Sequence, residues 1–448
     1  MVNRVTTRFA PSPTGHLHVG NIRTALFNWL FSRRHNGCFI LRLDDTDAER
    51  SKREFETTIM EDLNWLGLTY DNHHRQSARL SRYQEMFNKL KNDKRVYPCY
   101  ETAEELALMR QKLRAAGKPP IYNRSALNLS QPERQKLEMQ GRSPHWRFLL
   151  SETDISWKDS IRGEVRFPRN SFSDPVLLRA DGMPLYTFTS VIDDADLNVT
   201  HVIRGEDHVA NTAVQLELFA AISASKPSFA HHALLTGPNG EALSKRLGTS
   251  SIKDLRDQGF QPLALTSMLA TLGSSQDTSL LSNLSELITA FSLDNLGRAP
   301  VQFDVTTLER INTRLIQEMP FSKAQPLLQE LNLNAVDEEF WLAIRANINT
   351  LTDTTIWWDV CYGSIEPLIE ESLFTASAAR LLPNDRWNST TWKTWTKAVS
   401  NATGRKGQAL FQPLRLALTG RDQGPEMKNL LPLIEPKRAR ARLHGHTA

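Results

Sequence analysis

Apolar positions in the first half of the chain alternate between short runs and longer stretches with helical spacing. Residues 5–10, 38–43 and 199–203 have the composition of buried strands. Helical spacing begins beyond Gly20 and recurs over 54–66. Strands that alternate with helices predict an α/β fold built on a parallel sheet.

The pattern changes between residues 96 and 184. A helical stretch at 103–116 comes first. Strand-like composition then occurs at residues 145–150, 163–167, 174–179 and 181–190. One helical stretch followed by several strand-like segments predicts an α+β insertion between two halves of the α/β domain.

From about Asp254 onward the pattern is mostly helical, and prolines separate the helical segments. Trp357, Trp358, Trp387, Trp392 and Trp395 fall in this part. Such residues can stack on unpaired bases, but packing in a helical core is the favoured interpretation. The basic end of the chain, 437–442, is expected to be a solvated terminus.

Composition sets broad limits. A chain of 448 residues with 40% hydrophobic residues predicts a globular protein of more than one domain. No apolar run reaches the roughly 20 residues that span a bilayer, and the first residues lack an apolar signal sequence. Cys38, Cys99 and Cys361 are far apart and odd in number, so we expect no disulfides and a cytoplasmic location. The net charge of +4 permits a polyanionic partner without requiring one.

The first candidate site is the Pro- and Gly-rich loop that follows the first strand. His16, His18 and Asn21 lie where this loop enters a predicted helix. The N-terminus of a helix offers unpaired N–H groups to an anion, and a glycine such as Gly20 lets a ligand approach the backbone. The loop matches neither the dinucleotide-binding glycine fingerprint nor a Walker A loop. Alone, it would be read as a surface turn.

Four polar residues, Asp44–Asp45–Thr46–Asp47, follow the second strand at the sheet edge where ligands bind. We expect Asp44 to contact a ligand and Asp47 to cap the segment beginning at Ala48. The glycine and the terminal glutamate of a calcium loop are missing.

Two later segments carry candidate chemistry. Tyr186 and the run 204–208 lie where the second half of the sheet would place ligand contacts. The glycine-flanked segment 237–248 contains Ser244 and Lys245, and such a loop can carry a lysine to a triphosphate.

Together these motifs resemble the bacterial glutamyl-tRNA synthetases of class I. His18-Val19-Gly20-Asn21 is similar to the His-Ile-Gly-His signature, and 242–246 is similar to Lys-Met-Ser-Lys-Ser. The likeness extends to 44–47, 204–208 and 411–420. It implies a Rossmann-like parallel sheet with an α+β insertion, followed by an all-helical anticodon-binding region.

The resemblance implies five regions. They are residues 1–95 and 185–240 for the two halves of the catalytic domain, 96–184 for the insertion that binds the acceptor stem, 241–315 for the signature loop and a helical stem-contact region, and 316–448 for the anticodon-binding domain. It also implies a monomer that uses ATP, Mg²⁺ and L-glutamate to charge tRNA(Glu).

Site roles also follow from the resemblance. The expected catalytic residues are His18, Asn21 and Lys245. The expected ATP-binding residues are His16, Gly20, Asp207, Ser244 and Lys245. The expected glutamate-binding residues are Arg8, Ser12, Asp44, Tyr186 and Arg204, with Arg8 paired to the side-chain carboxylate and Asp44 to the ammonium group.

The sequence departs from the family pattern at three places. Many relatives carry Lys where this chain has Ala242, and Glu where it has Asp44. Some relatives bind zinc through a cysteine cluster in the insertion, but Cys99 has no second cysteine nearby, so no protein-bound zinc is expected. Two alternatives stay open: an enzyme that also or only glutamylates tRNA(Gln), and a non-catalytic tRNA-binding paralogue.

Overall fold

The computed structural model describes residues 4–168, 171–237, 240–241, 251–275, 283–333, 336–384 and 386–448. Two compact units make up the chain. The first comprises Met1–Asp254 and Thr266–Asp304, and the second comprises Leu255–Leu265 and Val305–Ala448.

The strands are β1 (Thr6–Phe9), β2 (Cys38–Leu43), β3 (Asn72–Arg75), β4 (Val96–Cys99), β5 (His145–Phe148), β6 (Ile155–Asp159), β7 (Gly163–Phe167), β8 (Val176–Leu178), β9 (His201–Gly205), β10 (Ser228–His232), β11 (Leu235–Thr236) and β12 (Val301–Gln302). The first helices are α1 (Val19–Arg34), α2 (Arg53–Trp65), α3 (Leu80–Asn92), α4 (Ala103–Ala115), α5 (Gln131–Met139), α6 (Tyr186–Asp196), α7 (Val209–Ala221), α8 (Ile252–Asp257), α9 (Pro262–Thr271) and α10 (Leu284–Ala290). The later helices are α11 (Val305–Glu318), α12 (Phe321–Glu330), α13 (Glu338–Ile344), α14 (Thr354–Cys361), α15 (Ser372–Arg380), α16 (Thr391–Thr403), α17 (Gln408–Thr419), α18 (Met427–Leu430) and α19 (Pro436–Leu443).

The first unit is built on parallel strands. β1 pairs with β2 and β2 with β3, while β9 pairs with β10, all in parallel. The two groups are joined where the N–H of Thr200, just before β9, donates to the carbonyl of Thr6 at 2.9 Å. The chain therefore winds in opposite directions from β1 and β9. The place where the winding direction changes is the switch point of the sheet. Ligands of such sheets bind there, beyond the carboxyl ends of the strands. The predicted parallel α/β fold is confirmed.

Helix α1 follows from its sequence pattern. Ile22, Leu26 and Leu30 recur on one face and are fully buried against the sheet. His18 is the N-cap, and Asn21 completes a capping box with it. The helix thus begins where the Pro/Gly loop was predicted to enter it.

The α+β insertion is also present. β4, β5 and β8 form an antiparallel sheet, and β6 and β7 form an antiparallel pair. One prediction here is wrong, because residues 186–190 begin helix α6 instead of a strand. Phe188, Val191 and Ile192 are spaced for one helix face and are buried, and this packing outweighs the strand-like composition of Thr and Tyr.

The second unit is helical in its described parts. Trp357, Trp387 and Trp395 are buried in its core, and Trp358 and Trp392 pack against that core, as the core interpretation predicted.

The basic end of the chain is not a frayed terminus. It forms α19, where the fully buried Arg442 donates to the carbonyls of Val360 (2.7 Å) and Leu418 (2.9 Å). An arginine can satisfy several carbonyls at once, so Arg442 is built into the helical core, while Lys437 stays exposed.

None of the helices in the described ranges is both long and apolar enough to cross a membrane.

Candidate active site at the carboxyl ends of β1 and β9

A pocket of about 540 Å³ opens at the switch point between the two strand groups. Nine residues predicted for the site line it: Arg8, Ser12, His16, His18, Gly20, Asn21, Tyr186, Arg204 and Asp207. Its volume lies in the range of small-molecule sites. Ser244, Lys245 and Ala242 lie outside the described residues. Asp44 is not among the lining residues.

The start of α1 forms one wall. The N–H of Gly20 donates to His18 Nδ1 (3.1 Å), and the N–H of His18 donates to Asn21 Oδ1 (3.1 Å). With Nδ1 as acceptor, a neutral imidazole at this position would carry its proton on Nε2. A Cβ atom at position 20 would lie 3.0 Å from the His18 ring, so glycine gives the ring room to fold over the helix end. This wall of the pocket therefore lies at the positive end of a helix dipole, while the N–H groups of His18 and Gly20 are bonded within the cap.

Arg204 lies at the end of β9 and is almost completely buried. Its guanidinium donates to neutral acceptors: Tyr186 Oη at 3.0 Å, Thr212 Oγ1 at 2.7 Å, Gln215 Oε1 at 2.7 Å and His231 Nε2 at 3.3 Å. Burial lowers the pKa of this arginine. No carboxylate within the described ranges pairs with it. A buried cation without a counter-ion is costly, and an anionic ligand in the pocket would reduce that cost.

Arg23, on α1, is a second buried arginine on the pocket wall without an acidic partner among the described residues. It donates to the carbonyls of Ala233 (2.8 Å) and Leu272 (2.7 Å), and burial lowers its pKa to about 10.

Arg8, at the end of β1, belongs to a buried ion network. Its Nε donates to Asp194 Oδ1 at 3.1 Å. Arg42 donates to the same Asp194 oxygen at 2.7 Å and to both oxygens of Asp44, at 2.7 and 3.1 Å. Within the described part of the chain, Nε is the only hydrogen-bonded nitrogen of Arg8. Its two terminal amino groups therefore remain available for a carboxylate.

The structure gives Asp44 a different setting from the one expected. Both carboxylate oxygens are bound by Arg42. Burial raises the pKa of Asp44 to about 6, although the adjacent Arg42 guanidinium opposes this. The carboxylate is therefore mostly ionised at neutral pH.

The other acids of this run serve local structure. Asp45 accepts from the N–H and hydroxyl of Ser77 (2.8 and 2.6 Å). Asp47 accepts from the N–H of Arg50 (3.2 Å), which closes a turn, and α2 begins only at Arg53. Asp47 therefore caps the segment beginning at Ala48 as expected, but this segment is a turn and not the first turn of a helix.

Two histidines on the pocket wall are kept neutral. Burial lowers the pKa of His208 to about 4, with a further contribution from Arg204. Burial also lowers the pKa of His232 to about 3, helped by Arg23. Neither of these two histidines therefore adds positive charge to the pocket wall at neutral pH, whereas Arg8, Arg23 and Arg204 do.

A three-residue cluster in the insertion bears on zinc. Ligand atoms of Cys99, Glu101 and His145 lie within 4.8 Å of one another. His145 faces Cys99 across the antiparallel pair β4–β5, so the fold brings a histidine that is distant in sequence beside this cysteine. Glu101 Oε1 accepts from Tyr122 Oη at 2.6 Å, and the Arg147 guanidinium lies next to the Cys99 thiol.

Several polar residues around the pocket escaped the sequence analysis. They are Arg23, Arg42, Asp159, Asp194, Thr212, Gln215 and His231, all of them buried. The available signal was polarity within apolar segments, such as Asp193–Asp194 in the otherwise apolar stretch of α6. Such a buried polar residue indicates that it has a hydrogen-bond or ion-pair partner, but it does not identify which residue the partner is.

Comparisons with known proteins agree with this geometry. Residues 4–310 match the family described as tRNA synthetases class I (E and Q), catalytic domain, and residues 368–446 match an anticodon binding domain. A glutamate–tRNA ligase 2 from Methylobacterium sp. (strain 4-46) is 51% identical over 442 residues, which cover 98% of this chain and 99% of that protein. The glutamate–tRNA ligase of Azospirillum brasilense is 50% identical over 445 residues, or 99% of this chain and 100% of that protein.

A solved structure gives the same result. The crystal structure of a glutamate tRNA ligase from Elizabethkingia meningosepticum CCUG26117, in complex with its amino acid, superposes with a TM-score of 0.83 at 28% identity and covers 98% of both chains. The chain therefore belongs to the class I tRNA synthetases for glutamate and glutamine, and within them to the glutamate–tRNA ligases.

Proposed function

We propose that this pocket activates glutamate with ATP and that the protein then transfers the glutamyl group to the 3′-terminal adenosine of tRNA(Glu). The observation that carries the proposal is Arg204, a buried cation with neutral partners that faces the same pocket as Arg8 and the N-terminus of α1. Such a pocket suits a substrate that brings two carboxylates beside a nucleotide that brings phosphates.

Glutamate recognition follows from the two arginines. The terminal amino groups of Arg8 form a planar fork that suits the side-chain carboxylate, and Arg204 is the second cation. Tyr186 and Ser12 supply hydroxyl groups. We assign the ammonium group to Asp44 from its place at the end of β2; its carboxylate has about four acceptor positions, and Arg42 uses one on each oxygen. Glutamine in place of glutamate would leave Arg8 facing an amide, which supports discrimination between the two.

In the activation step a glutamate carboxylate oxygen attacks the α-phosphorus of ATP. A new P–O bond forms, the bond to the bridging oxygen breaks, and pyrophosphate leaves. Donors aimed at the phosphate oxygens stabilise the growing charge, and one such donor is typically worth about 3 kcal/mol. His18, Asn21 and the positive end of the α1 dipole are proposed to meet one side of the phosphates and Lys245 the other.

We assign His16, Gly20, Asp207 and Ser244, together with Lys245, to ATP binding. Mg²⁺ bound to ATP would neutralise phosphate charge. The described pocket wall holds no cluster of carboxylates for the ion, so ATP and water are expected to supply most of its ligands.

The remaining regions are assigned to tRNA. We propose that residues 96–184 bind the acceptor stem, that 241–315 contact the stem and that 316–448 bind the anticodon, in a cytoplasmic monomer. The match of residues 368–446 to an anticodon binding domain supports the assignment of 316–448 to anticodon binding.

Charging of purified tRNAs with labelled glutamate tests the proposal. We expect the protein to glutamylate tRNA(Glu) and to leave tRNA(Gln) uncharged. Charging of tRNA(Gln), alone or together with tRNA(Glu), would instead identify an enzyme that supplies an amidation route. Failure to charge either tRNA, with ATP and Mg²⁺ present, would favour a non-catalytic tRNA-binding protein and overturn the proposal.

We also expect the purified protein to contain no bound zinc. A structural zinc site has four ligands, whereas Cys99, Glu101 and His145 offer three, and the neighbouring Arg147 guanidinium repels a cation. Elemental analysis after dialysis without chelator should find far less than one zinc per chain. A stoichiometric zinc content that is lost in His145→Ala would show that the cluster is a metal site after all.

A further inference from the structure

We propose that Asp159 and His231 are positioning residues that hold Arg204 in its binding geometry by fixing the tautomer of the His231 imidazole. The inference rests on the proposed role of Arg204 in glutamate binding. It adds two residues that lie behind the pocket wall and take no direct part in binding.

The contact between the two residues is buried and short. Asp159 ends strand β6 of the insertion, and His231 lies in β10. Asp159 Oδ2 lies 2.5 Å from His231 Nδ1, and both side chains are inaccessible to solvent. Asp159 Oδ1 accepts from the backbone N–H groups of Ile161 (3.0 Å), Arg162 (3.0 Å) and His231 (3.2 Å). The carboxylate is therefore fixed from both sides.

Asp159 is an acceptor only. Burial alone would raise its pKa, but the hydrogen bonds from His231 and from the backbone lower it to about 2. Burial also lowers the pKa of His231, with Asp159 opposing and Arg204 assisting. A neutral imidazole beside an ionised carboxylate carries its proton on the nitrogen that faces the carboxylate. The proton of His231 is therefore on Nδ1, and Nε2 keeps its lone pair.

That lone pair faces Arg204. His231 Nε2 lies 3.3 Å from Arg204 Nε and 2.9 Å from Thr212 Oγ1. A guanidinium has donors only, so a neighbour must offer an acceptor. The alternative tautomer would point an N–H at the N–H of Arg204 and push the guanidinium out of its place among Tyr186, Thr212 and Gln215. Asp159 thus sets the direction of the hydrogen bond between His231 and Arg204.

Asp159→Asn tests the inference. The amide can donate to His231 Nδ1, which moves the imidazole proton to Nε2 while the side-chain shape is kept. Loss of such an orienting partner typically costs about 10- to 100-fold, and we expect the KM for glutamate in ATP–pyrophosphate exchange, with tRNA present, to rise by about that factor. The kcat and the KM for ATP should change little, because the phosphate-binding wall is untouched.

Asp174→Asn is the matched control. Asp174 is also a buried carboxylate of the insertion, but it accepts from Tyr97 and Arg124. This variant is expected to lower thermal stability and to leave the KM for glutamate unchanged. An equal rise in both variants would mean general damage to the insertion and would overturn the inference.

The tautomer itself provides a second readout. With ¹⁵N-labelled histidine, NMR should report His231 protonated on Nδ1 in the wild type and on Nε2 in Asp159→Asn. An unchanged tautomer, or an unchanged KM with a changed tautomer, would overturn the positioning role.

If Asp159→Asn does not fold, Thr212→Val takes its place. Loss of the hydroxyl between His231 and Arg204 should raise the KM for glutamate, and no rise would overturn the inference. A wild type that fails to activate glutamate overturns the proposed function, while the NMR result still stands on its own.

Discussion

Replacement of Arg8 by glutamine is expected to lower kcat/KM for glutamate activation by about 10²- to 10³-fold, because removing one partner of a buried charge pair costs several kcal/mol. The change removes the proposed partner of the side-chain carboxylate. It also leaves Asp194 with Arg42 alone. The same variant should lose most of its preference for glutamate over glutamine. Pyrophosphate exchange with each amino acid, in the presence of tRNA, measures both effects.

Arg33→Gln provides a matched arginine control for this prediction. Arg33 lies on α1 and pairs with Asp71 at 2.8 Å in a partly exposed ion pair away from the pocket wall. Exposed pairs contribute little, so activity should stay close to that of the wild type. If Arg8→Gln and Arg33→Gln behaved alike, Arg8 would have no part in recognising glutamate.

Individual strands and helices of the first unit could be predicted because short stretches of sequence determine them. The run 38–43 is apolar and ends in acids, and it forms a strand with those bounds. The loop before α1 was recognisable from its prolines and glycines, and the helix begins beside them. Short-range sterics, capping and side-chain period decide such features, and all three can be read along a chain.

Contacts between distant segments could not be predicted in the same way. The link from Asp159 to His231 spans 72 positions, and the link from Arg42 to Asp194 spans 152. A buried charge indicates that a partner exists, but only the folded sheet brings the two together. Asp44 is a different case, because its partner Arg42 is only two residues away in the chain. Its place at the end of a strand was correctly anticipated, whereas its bond to Arg42 depends on side chains two residues apart pointing to the same face of that strand.

Local composition was also misleading where packing outweighed it. Residues 186–190 have strand-like composition, yet they form the first turns of α6, since their apolar positions meet the core at helical spacing. The basic end of the chain was expected to be solvated, and Arg442 is instead fully buried. Both errors have one cause, which is that tertiary contacts override a weak local preference.

The second large effect is expected at Lys245, which lies outside the described residues and is assigned by its place in the Ser244-Lys245-Arg246 signature. Lys245→Ala should slow adenylate formation by about 10²- to 10³-fold, the usual result of removing one donor from a charge that develops in the transition state. The effect should fall on kcat more than on the KM for glutamate, because the loop is proposed to meet the phosphates. Rapid-quench measurement of adenylate formation, with tRNA present, separates the two.

The departure at position 242 sharpens this expectation. Relatives with lysine there have one more cation in the loop than this chain, in which position 242 is alanine and Lys245 is proposed to make the phosphate contact. Ala242→Lys should therefore restore part of the rate lost in Lys245→Ala. Lys226→Ala, which replaces an exposed lysine of the first unit, serves as the charge-matched control and should leave the rate unchanged. Near-normal adenylate formation in Lys245→Ala would remove the signature loop from the mechanism and leave the phosphates to the arginines and the N-terminus of α1.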